Sequence, residues 1–467
     1  MSTKILEKIK SDKILTEISE NFDAEIYLVG GAVRDFLRGK ETNDRDLVVV
    51  NQDTRNFALK LAEFFDGVFV PLDEENKIYR VVLKDKINYL DITEPVGASI
   101  EKDLERRDLT INALAINLQK GEIIDKTGGL KDLEQGIIRS ISEKNFTDDP
   151  LRLLRVYRFE AQTGFRIDEN TLSQIKKHID LISNPAVERI NYEIMHLFGG
   201  EFAHIALKDM DEAGLLEKIF PIVKELKQVP PNTHHHLRLL EHSIETVRNI
   251  NETYKISPKE IKEHLEKVDF GGYSRLTHLK LAGFLHDIGK FSTWTIEEDT
   301  GRHRFIKHDD VGSKLVIGIL KKIAFSNKQI DYISAMIKNH IYPASLMTSP
   351  DVNEKAMMRY VRKMEDNSLD VTVLSKADRL SARGPVITDE MVEDNINSLT
   401  RLQEFYLNIA DTLEPLPKLL NGNEVMQILN IKPSPKLGEI MDALHEAQIS
   451  GDVVTKEHAV EFVKSFR

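Results

Sequence analysis

The stretch that decides the fold is Leu28–Val50, which reads LVGGAVRDFLRGKETNDRDLVVV. An apolar run, Glu25–Val29, meets Gly30 and Gly31, and a helical pattern follows through Arg38. A strand that ends in glycines and leads directly into a helix lets the backbone approach a phosphate, because glycine has no Cβ and the helix N-terminus offers free N–H groups. A simple tight turn has the same pattern, so the junction alone leaves both interpretations open.

Asp44 and Asp46 begin the strand that closes this stretch. Successive side chains of a strand alternate between its faces, so both aspartates are expected on the same face. Adjacent carboxylates repel each other unless a cation lies between them, and Mg²⁺ takes oxygen ligands of this kind together with phosphates. The pattern predicts a magnesium site, and its alternative is a solvated turn at the start of a strand.

A later segment, RRDLTINA, combines two guanidinium groups with a carboxylate and an amide, and it begins at Arg106. Arginine suits the oxygens of a triphosphate, while the side chains of Asp108 and Asn112 can bond to a ribose hydroxyl. An ordinary charged helix start has a similar composition, so this segment is ambiguous by itself.

A third segment, residues 148–158, reads DDPLRLLRVYR. Asp149 predicts the start of a helix, with proline at its first position. Arg152, Arg155 and Arg158 follow at three-residue spacing and share one face of that helix. Three arginines without an acidic residue between them repel one another, and an anionic ligand would relieve the repulsion.

Histidine and aspartate recur in the second half of the chain, at His242, His286, Asp287 and Asp378, with His308 and His340 between them. The run HLKLAGFLHDIGK places the adjacent His-Asp pair at the end of an apolar helix. Such side chains can hold a divalent metal and a nucleophilic water. A single buried histidine, in contrast, is more often structural.

Composition excludes several classes of protein. The 467 residues include no cysteine, which rules out disulfide scaffolds, thiolate zinc sites and cysteine nucleophiles. The net charge is −12, so contact with RNA requires a local basic patch. No apolar run is long enough to cross a membrane, and the start MSTKILEKIK lacks the apolar segment of a signal peptide, so a cytoplasmic protein is expected.

Residues up to about 140 alternate strand and helix patterns, and the chain from about residue 148 onward is nearly all helical. The strands are expected at Glu25–Val29, Asp46–Val50, Val68–Pro71, Tyr79–Leu83 and Asn88–Ile92. Breaks at the proline pair 230–231 and after residue 385 are plausible domain boundaries.

In this order and at this spacing, the strand–Gly-Gly–helix junction, Asp-x-Asp, RRD-x-T-x-N-A and Asp-Asp-x-x-Arg resemble class II tRNA nucleotidyltransferases and the related bacterial poly(A) polymerases. The resemblance covers roughly residues 25–225. It implies an α+β fold of the DNA polymerase β type: a nucleotidyltransferase head with a small mixed sheet and helices, followed by an all-helical neck, HD domain and tail. The implied domains are residues 1–140 (head), 141–230 (neck), 231–385 (HD domain) and 386–467 (tail).

The resemblance also implies roles for individual residues. Asp44 and Asp46 would be catalytic and would bind Mg²⁺. The implied nucleotide-binding residues are Gly31, Arg34, Arg107, Asp108, Asn112, Asp149, Arg152, Arg155 and Arg158. Asp149 and Arg152 would pair with the incoming base, and the implied partners are the 3′ end of tRNA, ATP and CTP.

The segments around His242, His286-Asp287, His308 and Asp378 resemble the HD phosphohydrolase superfamily. This second resemblance implies that His242, His286, Asp287 and Asp378 are metal ligands. Imidazole ligands suit a transition metal such as Mn²⁺, Ni²⁺ or Co²⁺. Whether this domain hydrolyses a substrate or only supports RNA binding is left open.

The function expected from these features is addition or repair of the 3′-terminal CCA of tRNA, or part of it, from CTP and ATP without a nucleic-acid template. Only twelve residues separate Thr93 from Arg106, an interval that tends to be longer in family members that switch from C to A. Addition of A only, of CC only, or of a poly(A) tail therefore stays open. A metal-dependent phosphohydrolase acting on RNA ends or nucleotides is the alternative from another class. A non-catalytic RNA-binding protein is the third possibility. The carboxylate pair Asp44 and Asp46 argues against it, because RNA binding alone needs no carboxylates beside phosphates.

Overall fold

A computed structural model of the chain describes residues 7, 9–39, 43–97, 99–410 and 416–466, and it leaves the side chain of Asp44 undescribed. The chain divides into two compact units, Met1–Ile219 and Phe220–Arg467. None of the helices in the described ranges has the length and apolar character needed to cross a bilayer.

The first unit is built on a seven-stranded sheet whose strands are β1 (Glu25–Val29), β2 (Asp44–Val50), β3 (Val68–Asp73), β4 (Ile78–Val82), β5 (Tyr89–Thr93), β6 (Leu114–Asn117) and β7 (Ile123–Asp125). Their spatial order is β3-β4-β5-β2-β1-β6-β7. Neighbours are antiparallel except β2 and β5, which are parallel, so the sheet is mixed, as the resemblance implies.

Both faces of the central strands of this sheet are buried against other parts of the unit. Leu28 and Leu47 belong to the larger apolar cluster, whereas Tyr27 and Val48 belong to a second cluster on the opposite face. The alternation follows from the two-residue period of a strand. The strands around the Gly-Gly junction are therefore held rigidly from both sides.

The register of β1 and β2 brings the first two sequence motifs together. These strands are antiparallel, with Leu28 opposite Leu47. The end of β1, which continues into Gly30, therefore lies beside the start of β2, where positions 44 and 46 share one face. The Gly-Gly junction and the predicted metal site are adjacent because of this pairing.

Helices complete the first unit, at Lys13–Asn21, Gly30–Leu37, Thr54–Phe64, Ile100–Glu105, Gly129–Gln135, Lys144–Asp148, Arg152–Thr163, Glu169–His178, Val187–Gly199, Ala203–Ala213 and Leu215–Ile219. Short 3₁₀ turns lie at Thr110–Asn112 and Ile179–Ser183, and a small parallel pair joins Ile137–Ile138 to Arg166–Ile167. The helix Arg152–Thr163, called here the arginine helix, packs against Val187–Gly199 and Ala203–Ala213.

The second unit is mainly helical. Its helices lie at Val223–Leu226, Leu239–Ile256, Lys259–Glu266, Arg275–Leu285, Lys290–Thr293, His308–Lys322, Asn327–Asn339, Tyr342–Met347, Glu354–Met364, Ser368–Ser381, Asp389–Ile409, Gly422–Leu429, Pro435–Ser450 and Lys456–Lys464, with a 3₁₀ turn at Glu365–Asn367. The helix Arg275–Leu285 is buried along nearly its whole length and packs against Leu239–Ile256 and Asn327–Asn339. It is therefore the central helix around which the candidate metal ligands are arranged.

The fold class is confirmed, but short strands outside the head were not predicted. Two hairpins occur in the second unit, Val268–Phe270 with Tyr273–Ser274 and Trp294–Ile296 with His303–Phe305. Strands of two or three residues are too short to show an alternating pattern. The pair Gly271-Gly272, which in sequence appears as a helix break, is a hairpin turn in which both residues have positive φ.

Candidate active site and metal centre

The predicted nucleotide-binding residues line a cavity of about 480 Å³ in the first unit. Its lining includes Asp46 and the full predicted set Gly31, Arg34, Arg107, Asp108, Asn112, Asp149, Arg152, Arg155 and Arg158. Position 44 lies two residues before Asp46 on the same strand, and its side chain is outside what the structure describes. Three motifs that are far apart in the sequence thus surround one pocket.

Gly30 separates a carboxylate from a guanidinium at the floor of this pocket. Its φ is +70°, and a Cβ at this position would lie 2.7 Å from Arg107 Nη1 and 3.3 Å from Asp46 Oδ2. A contact of 2.7 Å is too short for a real Cβ, so a larger residue would displace the side chain of Arg107. The Gly-Gly junction is therefore needed to let both groups approach the space above the helix start.

A chain of hydrogen bonds connects the helix Gly30–Leu37 to the arginine helix. Arg34 Nη1 donates to Asn112 Oδ1 at 2.8 Å, and Asn112 Nδ2 donates to Asp108 Oδ1 at 3.1 Å. Arg155 Nε donates to the other oxygen of Asp108 at 2.8 Å. Burial by itself raises the pKa of Asp108, but Arg155 and Asn112 outweigh it and lower the pKa to about 2, so the carboxylate is ionised.

The arginine helix carries less unbalanced charge than its own sequence indicates. Arg155 and Arg158 approach Glu193 Oε1 at 3.4 and 3.1 Å, so acidic residues from other segments compensate two of the three guanidiniums. Arg152 differs: its Nη1 donates to the carbonyl of Asn145 at 3.4 Å, and no carboxylate of the described side chains is recorded within ion-pair distance. Burial lowers the pKa of Arg152. Of the three arginines of this helix, Arg152 is therefore the one best placed to donate hydrogen bonds to a negative or electron-rich group of a ligand.

Asp149 is held at the edge of the pocket by two contacts. Arg189 Nη2 donates to its Oδ2 at 2.8 Å, and the backbone N–H of Leu151 donates to its Oδ1 at 3.2 Å. The helix begins at Arg152 rather than at Pro150, because residues 150 and 151 form a turn. Asp149 therefore lies three residues before the first residue of the arginine helix, and Arg189 and the backbone of Leu151 hold its carboxylate.

Several pocket residues were missed in the sequence. Phe159 lies under the guanidinium carbons of Arg34 and Arg158, at 4.9 and 4.4 Å from its ring centre. The others are Gln162, Arg189, Tyr192 and His196. The last three recur at spacings of three and four on the helix Val187–Gly199, a helical face that combines a cation with aromatic rings and that could have been noticed.

The second unit brings together the four predicted metal ligands. His242 Nε2 lies 3.3 Å from His286 Nε2 and 3.1 Å from Asp378 Oδ1. His286 Nε2 lies 3.1 Å from Asp287 Oδ2. Asp378 is partly exposed, whereas the other three side chains are almost fully buried. Among these four side chains, solvent therefore reaches mainly Asp378.

The orientation of the two rings fits a metal centre. His286 Nδ1 lies 2.7 Å from the carbonyl of Gly283, and His242 Nδ1 lies 3.4 Å from that of Ser381. Ring nitrogens that donate to backbone carbonyls leave the Nε2 lone pairs directed at the common centre. The two oxygens of Asp287 accept no hydrogen bond of good geometry, although Lys290 Nζ lies 2.6 Å from Oδ2. These donors match the nitrogen and oxygen set that binds a divalent transition metal.

The close approach of these side chains shifts the pKa values of His286 and Asp287. Burial alone lowers the pKa of His286, but the carboxylates of Asp287 and Asp378 outweigh it and raise the pKa to about 10. The pKa of Asp287 lies well below its usual value, because the neighbouring cations outweigh its burial. A proton on His286 thus takes the place that a cation would have between these side chains.

The histidine run at residues 234–236, for which no role is predicted, lies close to this centre. The ring of His235 lies 4.6 Å from the ring of His242, and its Nε2 lies 3.4 Å from Lys290 Nζ. Burial and the positive charge of Lys290 lower the pKa of His235 to about 2, so this ring is neutral.

Three family descriptions match the chain. Residues 26–139 match the poly(A) polymerase head domain, 164–227 the probable RNA and SrmB-binding site of polymerase A, and 239–383 the HD domain.

Relatives and solved structures agree with these matches. The chain is 30% identical to the A-adding tRNA nucleotidyltransferase of Deinococcus radiodurans over 94% of each protein. It is 29% identical to the CC-adding enzyme of Thermus thermophilus, over 95% of the chain and 94% of that enzyme. The Thermotoga maritima CCA-adding enzyme, solved with tRNA, shares the fold with a TM-score of 0.54 and 21% identity over 99% of this chain and 98% of that one.

Proposed function

The chain belongs to the tRNA nucleotidyltransferase family, and from this membership and its arginine-lined pocket we propose that it adds the 3′-terminal CCA, or part of it, to tRNA from CTP and ATP. The observation that carries this proposal is the pocket at the Gly-Gly junction, in which Asp46 and Arg107 flank Gly30. A carboxylate and several guanidiniums around one small cavity suit a nucleoside triphosphate.

We propose that Asp44 and Asp46 hold the magnesium ion of this reaction. The fit rests on two features: both positions share one face of β2, and the absence of a Cβ at Gly30 leaves room beside Asp46 for phosphate oxygens. Bound there, Mg²⁺ supplies activation of the terminal 3′-hydroxyl and neutralisation of the charge on the leaving pyrophosphate. Gly31, Arg34 and Arg107 bind the phosphates, and Asp108 and Asn112 orient the ribose.

Base recognition is assigned to the start of the arginine helix. Asp149 offers an acceptor and Arg152 a donor, and an edge of this kind can pair with C or with A after a small rotation. The contact between Arg189 and Asp149 supports the assignment, because it fixes the carboxylate that reads the base. Arg155 and Arg158 close the pocket through Asp108 and Glu193.

A partial enzyme is the second candidate function. Strand β5 ends at Thr93 and the next helix begins at Ile100, a short connection where C-to-A switching members of the family tend to carry a longer one. Of the two relatives named above, one is an A-adding and the other a CC-adding enzyme, and their identities to this chain are almost equal.

Assays in which CTP and ATP are supplied separately distinguish full from partial CCA addition. The purified protein is given labelled CTP alone or ATP alone, with tRNA that lacks CCA or ends in C or CC. Full CCA addition predicts CMP incorporation on the first two substrates and AMP incorporation on the last. A partial enzyme incorporates one nucleotide only. If neither nucleotide is incorporated on any tRNA, the proposed function is wrong.

We propose a second activity for the second unit, the hydrolysis of phosphate esters. His242, His286, Asp287 and Asp378 would hold Mn²⁺, Ni²⁺ or Co²⁺, which supplies an activated water. In such a hydrolysis the water oxygen would attack phosphorus as the ester P–O bond breaks, and the leaving alkoxide would take the proton that the water gives up.

We also propose that the chain is divided into a head (1–140), neck (141–230), HD domain (231–385) and tail (386–467). The three family matches fall within the first three of these domains.

Two simple substrates test the hydrolase. 2′,3′-Cyclic nucleotides and p-nitrophenyl phosphate are assayed with each of the three metals. We expect hydrolysis that is lost in His286→Ala and Asp287→Ala, while nucleotide addition to tRNA stays nearly intact. If the wild type hydrolyses neither substrate with any metal, the second unit has no such activity.

A further inference from the structure

Arg45 lies between the two aspartates of β2, on the face of the strand opposite to Asp46. Side chains of a strand alternate, so Arg45 shares its face with Leu47 and Val49, whereas Asp46 lines the pocket on the other face. Leu47 and Val49 belong to the larger apolar cluster of the first unit. A cation at the edge of an apolar core, directly behind a metal-binding face, requires an explanation.

The guanidinium of Arg45 is held by side chains from two distant segments. Its Nε and Nη2 donate to Asp12 Oδ2 at 3.0 and 2.8 Å, and its Nη1 donates to Asn88 Oδ1 at 2.9 Å. Arg45 is only 8% exposed, and a buried charge without partners is costly. Arg45 therefore ties the start of β2 to a segment 33 residues before it and to another 43 residues after it.

The carboxylate of Asp12 uses its two oxygens for two different tasks. Oδ1 accepts from the backbone N–H groups of Ile14 and Leu15 at 3.0 and 3.1 Å, and so caps the helix Lys13–Asn21. Oδ2 accepts from Arg45. Leu15 is almost fully buried in the same apolar cluster as the back of β2. Asp12 is thus anchored through its helix before it holds the arginine.

Asn88 is fixed equally well on the other side of Arg45. Its N–H and its Nδ2 donate to the carboxylate of Asp85 at 2.8 and 2.7 Å. The next residue, Tyr89, donates its N–H to the carbonyl of Asn43 at 3.0 Å. Asn43 immediately precedes β2, so two adjacent residues of the turn before β5 hold the start of β2.

We propose that Asp12 and Arg45 are positioning residues for nucleotide transfer: from behind β2 they fix the backbone at positions 44 and 46, and with it the separation of the two carboxylates that hold Mg²⁺. The inference rests on the proposed function, which assigns the ion to these carboxylates. Mg²⁺ demands near-ideal octahedral geometry, so a carboxylate that is displaced binds it less well. The ends of elements open most readily, and the two carboxylates belong to the first three residues of the strand.

The same substitution at two helix caps separates positioning from stability. Asp12→Ser keeps an N-cap, since serine caps helices well, but its side chain is too short to hold Arg45. Asp53→Ser is the matched control, because Asp53 caps the helix Thr54–Phe64 by accepting from the N–H of Asn56 at 3.0 Å and lies beyond the other end of β2. Asp12→Asn keeps an oxygen for the arginine and is the conservative variant.

Hydrogen–deuterium exchange of the metal-free, full-length protein gives a readout that needs no activity. We expect the backbone amides of residues 44–47 to exchange several-fold faster in Asp12→Ser than in the wild type, because the start of the strand is no longer held from behind. Asp53→Ser should exchange at the wild-type rate over these residues. Asp12→Asn should fall between the wild type and Asp12→Ser.

Magnesium is then added to the same samples, and the midpoint of its protection of residues 44–47 is recorded. We expect this midpoint, and the half-saturating Mg²⁺ concentration for nucleotide incorporation into tRNA, to rise about ten-fold in Asp12→Ser, the lower end for groups that support metal ligands. The KM for CTP or ATP at saturating Mg²⁺ should stay near the wild-type value. Asp53→Ser should change none of these quantities.

The outcomes separate this inference from the proposed function. Unchanged exchange of residues 44–47 in Asp12→Ser overturns the inference, and so does the same Mg²⁺ midpoint in Asp12→Ser and Asp53→Ser, which would leave the pair a merely stabilising role. A wild type that incorporates no nucleotide, with the midpoint shifted in Asp12→Ser, refutes the proposed function and supports the inference. If Mg²⁺ protects these residues in no protein, the magnesium assignment and the inference both fail. If Asp12→Ser does not fold, Arg45→Lys, which keeps the cation without the planar fork, must show the shifted midpoint.

Discussion

Arg155 and Asp108 are 47 residues apart in the sequence, yet Arg155 Nε donates to Asp108 Oδ2 at 2.8 Å inside the arginine-lined pocket. This pair joins the RRD-x-T-x-N-A segment to the arginine helix and neutralises a carboxylate that is almost fully buried. The two motifs are thus parts of one structure.

Breaking this pair should destabilise the first unit. Asp108→Asn keeps the shape of the side chain but removes the charge that Arg155 faces. We expect the free energy of unfolding to fall by about 3 kcal/mol, the lower end for breaking a buried pair, because Arg155 retains Glu193. Urea unfolding measures the change. Asp66→Asn, which removes the partner of Lys84 at the surface, is the control and should leave stability unchanged; equal effects of both substitutions would contradict the prediction.

Gly30 and Gly39 form a matched pair for testing the floor of the pocket. Both have positive φ, but a Cβ at Gly39 meets nothing within 4 Å, whereas a Cβ at Gly30 meets Arg107. Either substitution by alanine carries the backbone cost of about 1 kcal/mol. Only Gly30→Ala should lower kcat/KM for nucleotide addition, by about 100-fold, the scale of a 1 Å misplacement. Similar activity of the two variants would show that the position of Arg107 is unimportant.

The Asp149–Arg152 edge should control which nucleotide is selected. We expect Asp149→Ala and Arg152→Ala to change the ratio of CTP to ATP incorporation. The change should correspond to about 1–3 kcal/mol of discrimination free energy, the value of a bidentate base contact. Arg189→Ala should shift the ratio in the same direction by less, because it only releases Asp149. The exposed Arg166→Ala is the control. Variants that lose rate but keep the wild-type ratio would show that this edge binds only phosphate.

Glu160 should make stability depend on pH. Burial, followed by the nearby Asp209, raises its pKa to about 9. Between about pH 4.5 and pH 9 the folded protein holds a proton that the unfolded chain releases, so the free energy of unfolding falls as the pH rises through this range.

Removing the charge from Glu160 should abolish this dependence. Glu160→Gln is expected to match the wild type near pH 5 and to exceed it near pH 8.5 by on the order of 2–4 kcal/mol. Denaturant unfolding at the two pH values measures the difference, with the exposed Glu212→Gln as control. A wild-type stability that does not fall above pH 5 would mean that Glu160 is ionised in the fold.

The sequence predicted the pocket well where its residues belong to compact motifs. Register then explains why these motifs meet: the antiparallel pairing of β1 and β2 brings Gly30 beside Asp46. The contacts of Arg189 with Asp149 and of Glu193 with Arg158 could not be predicted in the same way, because each joins residues that are some 40 positions apart in the chain. The hairpin that carries His303 escaped detection because three-residue strands show no periodicity.

The central claim, that the carboxylates at the start of β2 perform nucleotide transfer, is tested most directly by Asp46→Ala and Asp44→Ala. The measurement is the rate of labelled CMP and AMP incorporation into tRNA with Mg²⁺, with circular dichroism to confirm folding and Asp66→Asn as a control. The account predicts that both variants fold and that incorporation is abolished, while the control matches the wild type. Incorporation within a few-fold of wild type in both variants would contradict it.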